Sequence, residues 1–133
     1  MVEQQLAEVR LKLTTRRDEI LRELERLDQE IESLGTEQGQ EHGSTGNHLA
    51  DDGSSVMEQQ RLGTIGEDLR DVMRQIEGAL KRLEEGTYGT CQRCGKSIDP
   101  ERLEAFPYVE YDIECQGILE RERRLYVSTP RIG

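Results

Sequence analysis

The sequence predicts an all-α fold: a long antiparallel coiled-coil hairpin, a small cysteine-bearing base and a short C-terminal helix. Leucine and isoleucine recur at heptad spacing in two segments, a glycine-rich stretch separates these segments, and all three cysteines follow them. Of the 133 residues, 33% are hydrophobic and 35% are charged. A thin apolar seam between helices can be built from this composition, whereas a large globular interior cannot.

The first helix is predicted from about Val2 to Leu34, because its apolar residues recur every seven positions and a second set fills the later heptads. The first set is Leu6, Leu13, Ile20, Leu27 and Leu34, and the second set is Leu24 and Ile31. In the earlier heptads the second core position holds Arg10 and Arg17. We therefore expect a weaker seam near the N-terminus, where the helix is free to lie against the base instead.

The segment from about 35 to 54 is predicted to be a flexible loop at the tip of the hairpin. It contains five glycines among polar and acidic residues and has no Lys or Arg. Such a segment buries too little apolar surface to offset the loss of backbone entropy on folding.

The second helix is predicted from a capping box at Ser55 and Glu58 to about Glu85, with Gly86 placed to end it. Its seam alternates at spacings of three and four residues: Leu62, Ile65, Leu69, Val72, Ile76, Ala79 and Leu83. Two helices of this length joined by a loop pair most simply as an antiparallel hairpin over residues 1–86. Residues 87–133 then form the base, with a C-terminal helix from about Ile113 to Tyr126 and a frayed tail.

Charge and composition exclude several classes of function. The net charge of −10 argues against direct binding to DNA or RNA, which needs clustered Lys and Arg. No apolar stretch approaches the length of a membrane span or a signal sequence, so a cytoplasmic location without membrane contact is expected. No nucleophile with an adjacent base and no phosphate-binding glycine loop is evident, so we do not expect an enzyme. We expect a monomer or a weak dimer.

The cysteines predict a metal site in the base. Cys91 and Cys94 form a C-x-x-C turn followed by Gly95, which is how half of a structural zinc site is usually presented. The spacing places the second half at Asp112 and Cys115, so one of the four sulfurs is replaced by a carboxylate. Carboxylates are accepted zinc ligands, and the predicted set is Cys91, Cys94, Asp112 and Cys115 with one structural Zn²⁺. Two alternatives remain at this point: a finger that packs without metal, and a redox-active cysteine pair, which would need a βαβ context.

The same stretch resembles the zinc finger of the TraR/DksA family, small bacterial regulators that bind RNA polymerase. The resemblance lies in Gly86-Thr87-Tyr88-Gly89-Thr90-Cys91-x-x-Cys94-Gly95-x-x-Ile98, then Arg102-Leu103-Glu104-Ala105-x-Pro107, then Cys115-Gln116. It implies a transcription regulator built as a coiled-coil hairpin on a zinc-finger-like base. The departure is Asp112, which stands at the family's third cysteine position.

The resemblance also implies a role for the hairpin tip. In this family the tip carries a D-x-x-D-x-A signature and enters the secondary channel of RNA polymerase, near the catalytic magnesium. Separation from the first finger cysteine places the second Asp of the signature on Asp51, the first on His48 and the Ala on Gly53. Asp52 then supplies the missing carboxylate from the neighbouring position.

The best-known members of this family bind the alarmone ppGpp through basic side chains near the finger. The residues of this chain at those positions argue against the same property here. The corresponding positions here hold Gln75, Phe106 and Gln116, and phosphate binding needs positive charge. A rival interpretation from another class is a coiled-coil interaction or scaffold protein that keeps the fold without the channel function.

Overall fold

The computed structural model describes residues 2–40 and 48–128, and the side chains of residues 2–35 and 54–125. The described part contains four helices: α1 (Glu3–Gln40), α2 (His48–Glu85), α3 (Pro100–Ala105) and α4 (Ile113–Ser128). Its β structure is a single isolated bridge between Thr90 and Ser97. The predicted all-α fold class is confirmed. Among the described helices, none combines the length and the apolar character needed to cross a bilayer.

By packing, the chain divides into two compact units. The hairpin unit comprises Thr14–Arg74, and the finger unit comprises Met1–Leu13 together with Gln75–Gly133. Each unit therefore takes part of α1 and part of α2. The sequence predicts a domain boundary after Gly86. This boundary does not coincide with the division into packed units, and it stays a prediction.

In the hairpin unit, α1 and α2 run antiparallel. The Arg70 guanidinium lies 3.6 Å from the Asp28 carboxylate, and a Cβ added at Gly35 would lie 3.9 Å from Nε2 of Gln59. As residue numbers rise along α1, the numbers of the neighbouring residues on α2 fall, as the predicted antiparallel hairpin requires. Among the side chains of this unit that the structure describes, the buried ones are Ile20, Leu27, Leu62 and Met73.

The buried stripe of α2 differs in part from the predicted seam. Leu62, Ile76, Ala79 and Leu83 are buried as predicted, but Met73 is 8% exposed while Val72 is only partly buried. Gly66, which is not one of the predicted seam positions, is also buried. The strict heptad positions Leu62, Ile76 and Leu83 stay buried, and the difference lies in the second row of the seam. Positions three and four residues after a heptad position lie on opposite sides of it on the helix surface, and the buried side in the hairpin unit holds Gly66 and Met73.

The predicted tip loop over 35–54 is too long. Helix α1 continues through Gln40 and α2 begins at His48, while residues 41–47 lie outside the described residues. The capping box at Ser55 was therefore wrong, and the Glu58 carboxylate accepts hydrogen bonds from Arg61 at 2.6 and 3.1 Å. Once a helix has started, each further residue adds a backbone hydrogen bond, and this gain offsets the poor helix propensity of the glycines.

Helix α2 ends at Glu85, and Gly86 follows it as the predicted stop. Gly86 has φ +79°, and the N–H of Thr87 donates to the carbonyl of Arg82 at 2.9 Å. This six-to-one bond around a left-handed glycine is a Schellman motif. It turns the chain out of the helix five residues before Cys91.

Candidate metal centre

The first half of the site is a tight turn that presents Cys91 and Cys94. The N–H of Gly95 donates to the Cys91 carbonyl at 2.9 Å, and the N–H of Cys91 donates to the Lys96 carbonyl at 2.8 Å. Gly95 has φ +78°, a backbone conformation that L side chains rarely adopt. The glycine after the second cysteine is thus what allows the chain to fold back over the two sulfurs.

The second half is the start of α4. Asp112 directly precedes this helix, and its Oδ1 accepts a hydrogen bond from the N–H of Cys115 at 2.7 Å. Its carbonyl accepts from the N–H of Gln116 at 2.9 Å. The two halves are tied together by the N–H of Gln92, which donates to the Glu110 carbonyl at 2.8 Å.

The four predicted ligands come together in the finger unit. The Sγ atoms of the three cysteines and a carboxylate oxygen of Asp112 all lie within 4.8 Å of one another. Ligand bonds of about 2.0 to 2.3 Å in a tetrahedron put ligand atoms about 3.5 to 3.8 Å apart. The cluster therefore fits a structural Zn²⁺, and with four protein ligands such a site is closed, which suits stabilisation of the fold rather than catalysis.

The ligands differ in their acid–base properties. Hydrogen bonds, first from the Cys115 N–H and then from the Cys94 thiol, lower the pKa of Asp112 to about 2. Burial, followed by the hydrogen bond with Asp112, raises the pKa of Cys115 to about 12. Burial also raises the pKa of Cys91, but backbone N–H groups, those of Cys94 and Asp112 foremost, outweigh it and lower the value to about 7. Asp112 is thus an anion at neutral pH, and a cation must displace a proton from Cys115 to bind it.

Two of the predicted ligands also belong to the buried cluster around the site. Cys91, Ile98, Leu103 and Cys115 make one buried cluster, against which Tyr88, Val109 and Tyr111 pack. The Tyr88 hydroxyl donates to the Pro107 carbonyl at 2.8 Å. A cluster of four buried residues that includes two cysteines is small, so metal binding and folding of the segment around the site are expected to be coupled.

Two basic residues lie near the site, and of these Arg93 was not singled out in the sequence. Nη1 of Arg93 lies 3.8 Å from Sγ of Cys115, and Nε of Arg102 donates to the Tyr111 carbonyl at 3.0 Å. The position of Arg93 between Cys91 and Cys94 could have indicated this contact, because a cation in the C-x-x-C turn lies close to the cysteine sulfurs.

Helix α3 was also missed. Its signal was the pair Asp99-Pro100, in which Asp99 accepts from the N–H of Glu101 at 3.0 Å and Pro100 occupies the first helical turn, as is typical of helix starts.

The remaining residues singled out in the sequence are not part of this cluster. Asp51 and Asp52 fall near the start of α2, and their side chains lie outside the described residues. Phe106 is 51% exposed and meets the Tyr108 ring edge-on, with 6.4 Å between centroids. The amide of Gln116 donates to Glu120 at 3.1 Å.

Comparisons with known proteins place the four-residue cluster within a known zinc-finger family. Residues 86–121 match the family described as prokaryotic dksA/traR C4-type zinc finger. The RNA polymerase-binding transcription factor DksA of Caulobacter vibrioides is 33% identical over 128 residues, which covers 95% of this chain and 83% of that protein. The chain belongs to the DksA/TraR family. The predicted resemblance is confirmed, and the C4-type finger of the family accords with zinc at the four-residue cluster.

Other similar proteins agree with the assignment. General stress protein 16O of Bacillus subtilis is 36% identical over 91 residues, 68% of this chain, and the match spans 56% of that protein. A match to an uncharacterized protein of Aquifex aeolicus, 42% identical over 57 residues, spans 39% of its length. The chain therefore spans little more than half, or less, of these two relatives.

Solved structures show the same fold. The transcription factor DksA2 from Pseudomonas aeruginosa superposes with a TM-score of 0.72 at 29% identity, covering 93% of this chain and 89% of that one. The RNA polymerase binding protein Dks from Chlamydia trachomatis, at 18% identity and a TM-score of 0.56, supports the fold alone.

Proposed function

We propose that this protein is a transcription regulator that binds RNA polymerase. The observation that carries the proposal is the match over 95% of the chain to a relative named as an RNA polymerase-binding transcription factor. The similarity to DksA2 over 93% of the chain supports it. The proposal implies action in the cytoplasm, with polymerase rather than nucleic acid or membrane as the direct partner.

We further propose that binding occurs through the secondary channel, with Asp51 and Asp52 at the hairpin tip approaching the polymerase active site. The antiparallel pairing in the hairpin unit supports this, because it places the connection between α1 and α2 at one end of the pair. Asp51 and Asp52 follow that connection closely along α2. Carboxylates brought into a narrow channel of low dielectric are attracted to a bound cation more strongly than in bulk water.

For the base we propose a zinc ion held by Cys91, Cys94, Asp112 and Cys115. These residues would bind the metal and keep the turn and the start of α4 together. Metal analysis of protein purified without chelators should find about one zinc per chain. A folded chain with almost no zinc would remove this part of the proposal and leave polymerase binding untouched.

Dependence on ppGpp is not part of the proposal. Of the three positions that the family resemblance indicates, Gln75 and Gln116 carry neutral amides, and Phe106 presents a half-exposed aromatic ring. A polyphosphate needs cationic partners, so we expect equal binding of polymerase with and without ppGpp.

The test of the main proposal is binding and transcription with purified polymerase. The native chain should bind core polymerase and change transcription from a sensitive promoter. The double variant Asp51→Asn with Asp52→Asn should still bind but lose most of that effect, because only the tip charge is removed. Glu67→Gln with Asp68→Asn, two exposed acids further along α2, is the matched control and should behave as the native chain. Equal transcription effects in the tip and control variants would remove the role of the tip.

The position of the tip can be measured directly. Fe²⁺ substituted for the catalytic magnesium of polymerase generates hydroxyl radicals that cut nearby protein chains. Cleavage of the bound regulator near residues 51–52 is expected. Tight binding with cleavage elsewhere, or none, would retain polymerase as partner and exclude insertion into the channel.

The alternative function is a coiled-coil interaction or scaffold protein. It is favoured by exposed apolar side chains on the helices of the hairpin unit, among them Leu21, Val56 and Met57, which a second copy could cover. Sedimentation measurements discriminate the two. A stable dimer without affinity for polymerase would favour the scaffold, and a monomer or weak dimer that binds polymerase would favour the regulator.

A further inference from the structure

Asp112 has two carboxylate oxygens, and each has a different partner. Oδ1 accepts a hydrogen bond from the N–H of Cys115 at 2.7 Å. Oδ2 accepts a hydrogen bond from the Cys94 thiol at 3.1 Å, and Cys94 is one of the residues whose ligand atoms cluster with a carboxylate oxygen of Asp112. A thiolate has one sulfur and cannot occupy both positions.

The Oδ1 contact is a helix cap. Asp112 immediately precedes α4 (Ile113–Ser128), its side chain accepts from the third helical residue, and its carbonyl accepts the helical bond from Gln116 at 2.9 Å. This is the arrangement of an N-cap residue, for which Asp and Asn are among the preferred types. Cysteine is not among those types.

The cap determines where a metal ligand lies. Cys115 is the third residue of α4, and its own N–H is the group that Asp112 holds. Cys115 is buried, so its side chain can move little unless the first turn of α4 moves. Fixing that turn therefore fixes the third sulfur of the cluster.

We propose that Asp112 is both a metal ligand, through Oδ2, and the positioning residue of Cys115, through Oδ1. Compared with a cysteine at this position, the carboxylate is a harder ligand than sulfur, but it also caps α4. The cap keeps the first turn of α4 in place when the metal is absent. The inference deepens the proposed zinc site and is independent of polymerase binding.

The test separates the two oxygens with two substitutions. Asp112→Asn keeps a good cap and removes the anionic ligand, so zinc affinity should fall about tenfold or more, while the metal-free helix start is unchanged. Asp112→Cys restores a thiolate ligand and removes the cap. Its zinc affinity should equal or exceed that of the native chain, while the metal-free Cys115 amide should exchange with solvent about fivefold faster, the effect of losing a typical N-cap.

The measurements are zinc competition against a chromophoric chelator and amide hydrogen exchange at Cys115 and Gln116 in metal-free protein. Glu114→Gln is the control, because it removes a negative charge from the same helical turn but is neither cap nor proposed ligand, and it should change neither quantity. Parallel changes of affinity and exchange in both Asp112 variants would overturn the division of roles. So would an unprotected Cys115 amide in the metal-free native chain.

These outcomes are distinct from failure of the zinc site itself. A native chain that binds no zinc in the competition assay would remove Asp112 as a ligand and, with it, the proposal. Loss of polymerase binding in any variant bears only on the proposed regulator.

Discussion

At the scale of single residues, Tyr88 connects the end of α2 to the loop after α3. Its hydroxyl donates to the Pro107 carbonyl at 2.8 Å, and its ring packs on the cluster that contains Cys91 and Cys115. Burial raises the pKa of Tyr88 to about 12. The folded state therefore favours the neutral phenol, which is the form that can donate this hydrogen bond.

We expect Tyr88→Phe to lower the free energy of unfolding by about 1 kcal/mol at neutral pH, the usual net value of one hydrogen bond. The difference should depend on pH. A phenol with a folded pKa of about 12 and an unfolded pKa of about 10 contributes stability below pH 10, and this stability is lost as pH rises toward 12. Urea unfolding of both proteins from pH 8 to 11.5 measures it. A constant difference across that range would show that Tyr88 does not titrate as described.

At the scale of elements, the paired helices owe their stability to a narrow buried stripe. Ile20 and Leu21 are neighbours on α1 with opposite environments: Ile20 is 1% exposed and Leu21 is 51% exposed. The heptad pattern predicted this difference, because only Ile20 lies in the seam. The pair allows burial to be tested at nearly constant helix propensity.

Ile20→Ala should lower the free energy of unfolding by about 2 to 5 kcal/mol, since it removes buried methyl groups and leaves a cavity. Leu21→Ala should change it by about 0.5 kcal/mol or less, as is usual for exposed positions. Circular dichroism at 222 nm during urea unfolding measures both. Similar losses would mean that the exposed face of α1 is covered by a second molecule in solution.

The glycines of α2 offer a second test at this scale. A Cβ added at Gly63 meets no atom within 4 Å, so Gly63→Ala should stabilise the protein by about 1 kcal/mol through helix propensity alone. Gly86→Ala should instead destabilise it by about 1 to 2 kcal/mol, because φ there is +79° and a Cβ strains a left-handed backbone. Thermal unfolding of the two variants beside the native chain measures both signs. A destabilising Gly63→Ala would show that α2 is not continuous at this position.

At the scale of the whole molecule, the two units depend on different interactions. The hairpin unit has an apolar stripe of Ile20, Leu27, Leu62 and Met73. In the finger unit the buried cluster around the site has only Ile98 and Leu103 beside its two cysteines. Removal of a metal should therefore affect the two units unequally.

Treatment with a strong zinc chelator should speed hydrogen exchange of the backbone amides of Cys91 and Gly95 by about tenfold or more. The reason is that the C-x-x-C turn loses the proposed ion that joins it to α4. The amides around Ile20 should exchange at unchanged rates, and the 222 nm signal should fall only slightly. Exchange mass spectrometry before and after chelation, with zinc added back as the control, measures this. Equal acceleration in both units would mean that the chain unfolds as one cooperative body.

Residue spacing was enough to predict the pairing of the two long helices and the grouping of Cys91, Cys94, Asp112 and Cys115, which the structure brings together. Heptad repeats predicted Leu13, Ile20 and Leu27 as buried, and they are; the spacing after Cys91 and Cys94 indicated Asp112 and Cys115 as the other two predicted ligands. The helix ends, the burial of Met73 and the two contacts of Asp112 depend on the three-dimensional fold and cannot be read from residue spacing. Helix α1 extends to Gln40 and α2 begins at His48, because helix propagation offsets poor propensity. The packing of the two helices also decides that Met73 rather than Val72 is buried. Only the folded backbone brings the N–H of Cys115 to one oxygen of Asp112 and the thiol of Cys94 to the other, because these contacts depend on directions in space that a linear sequence does not record.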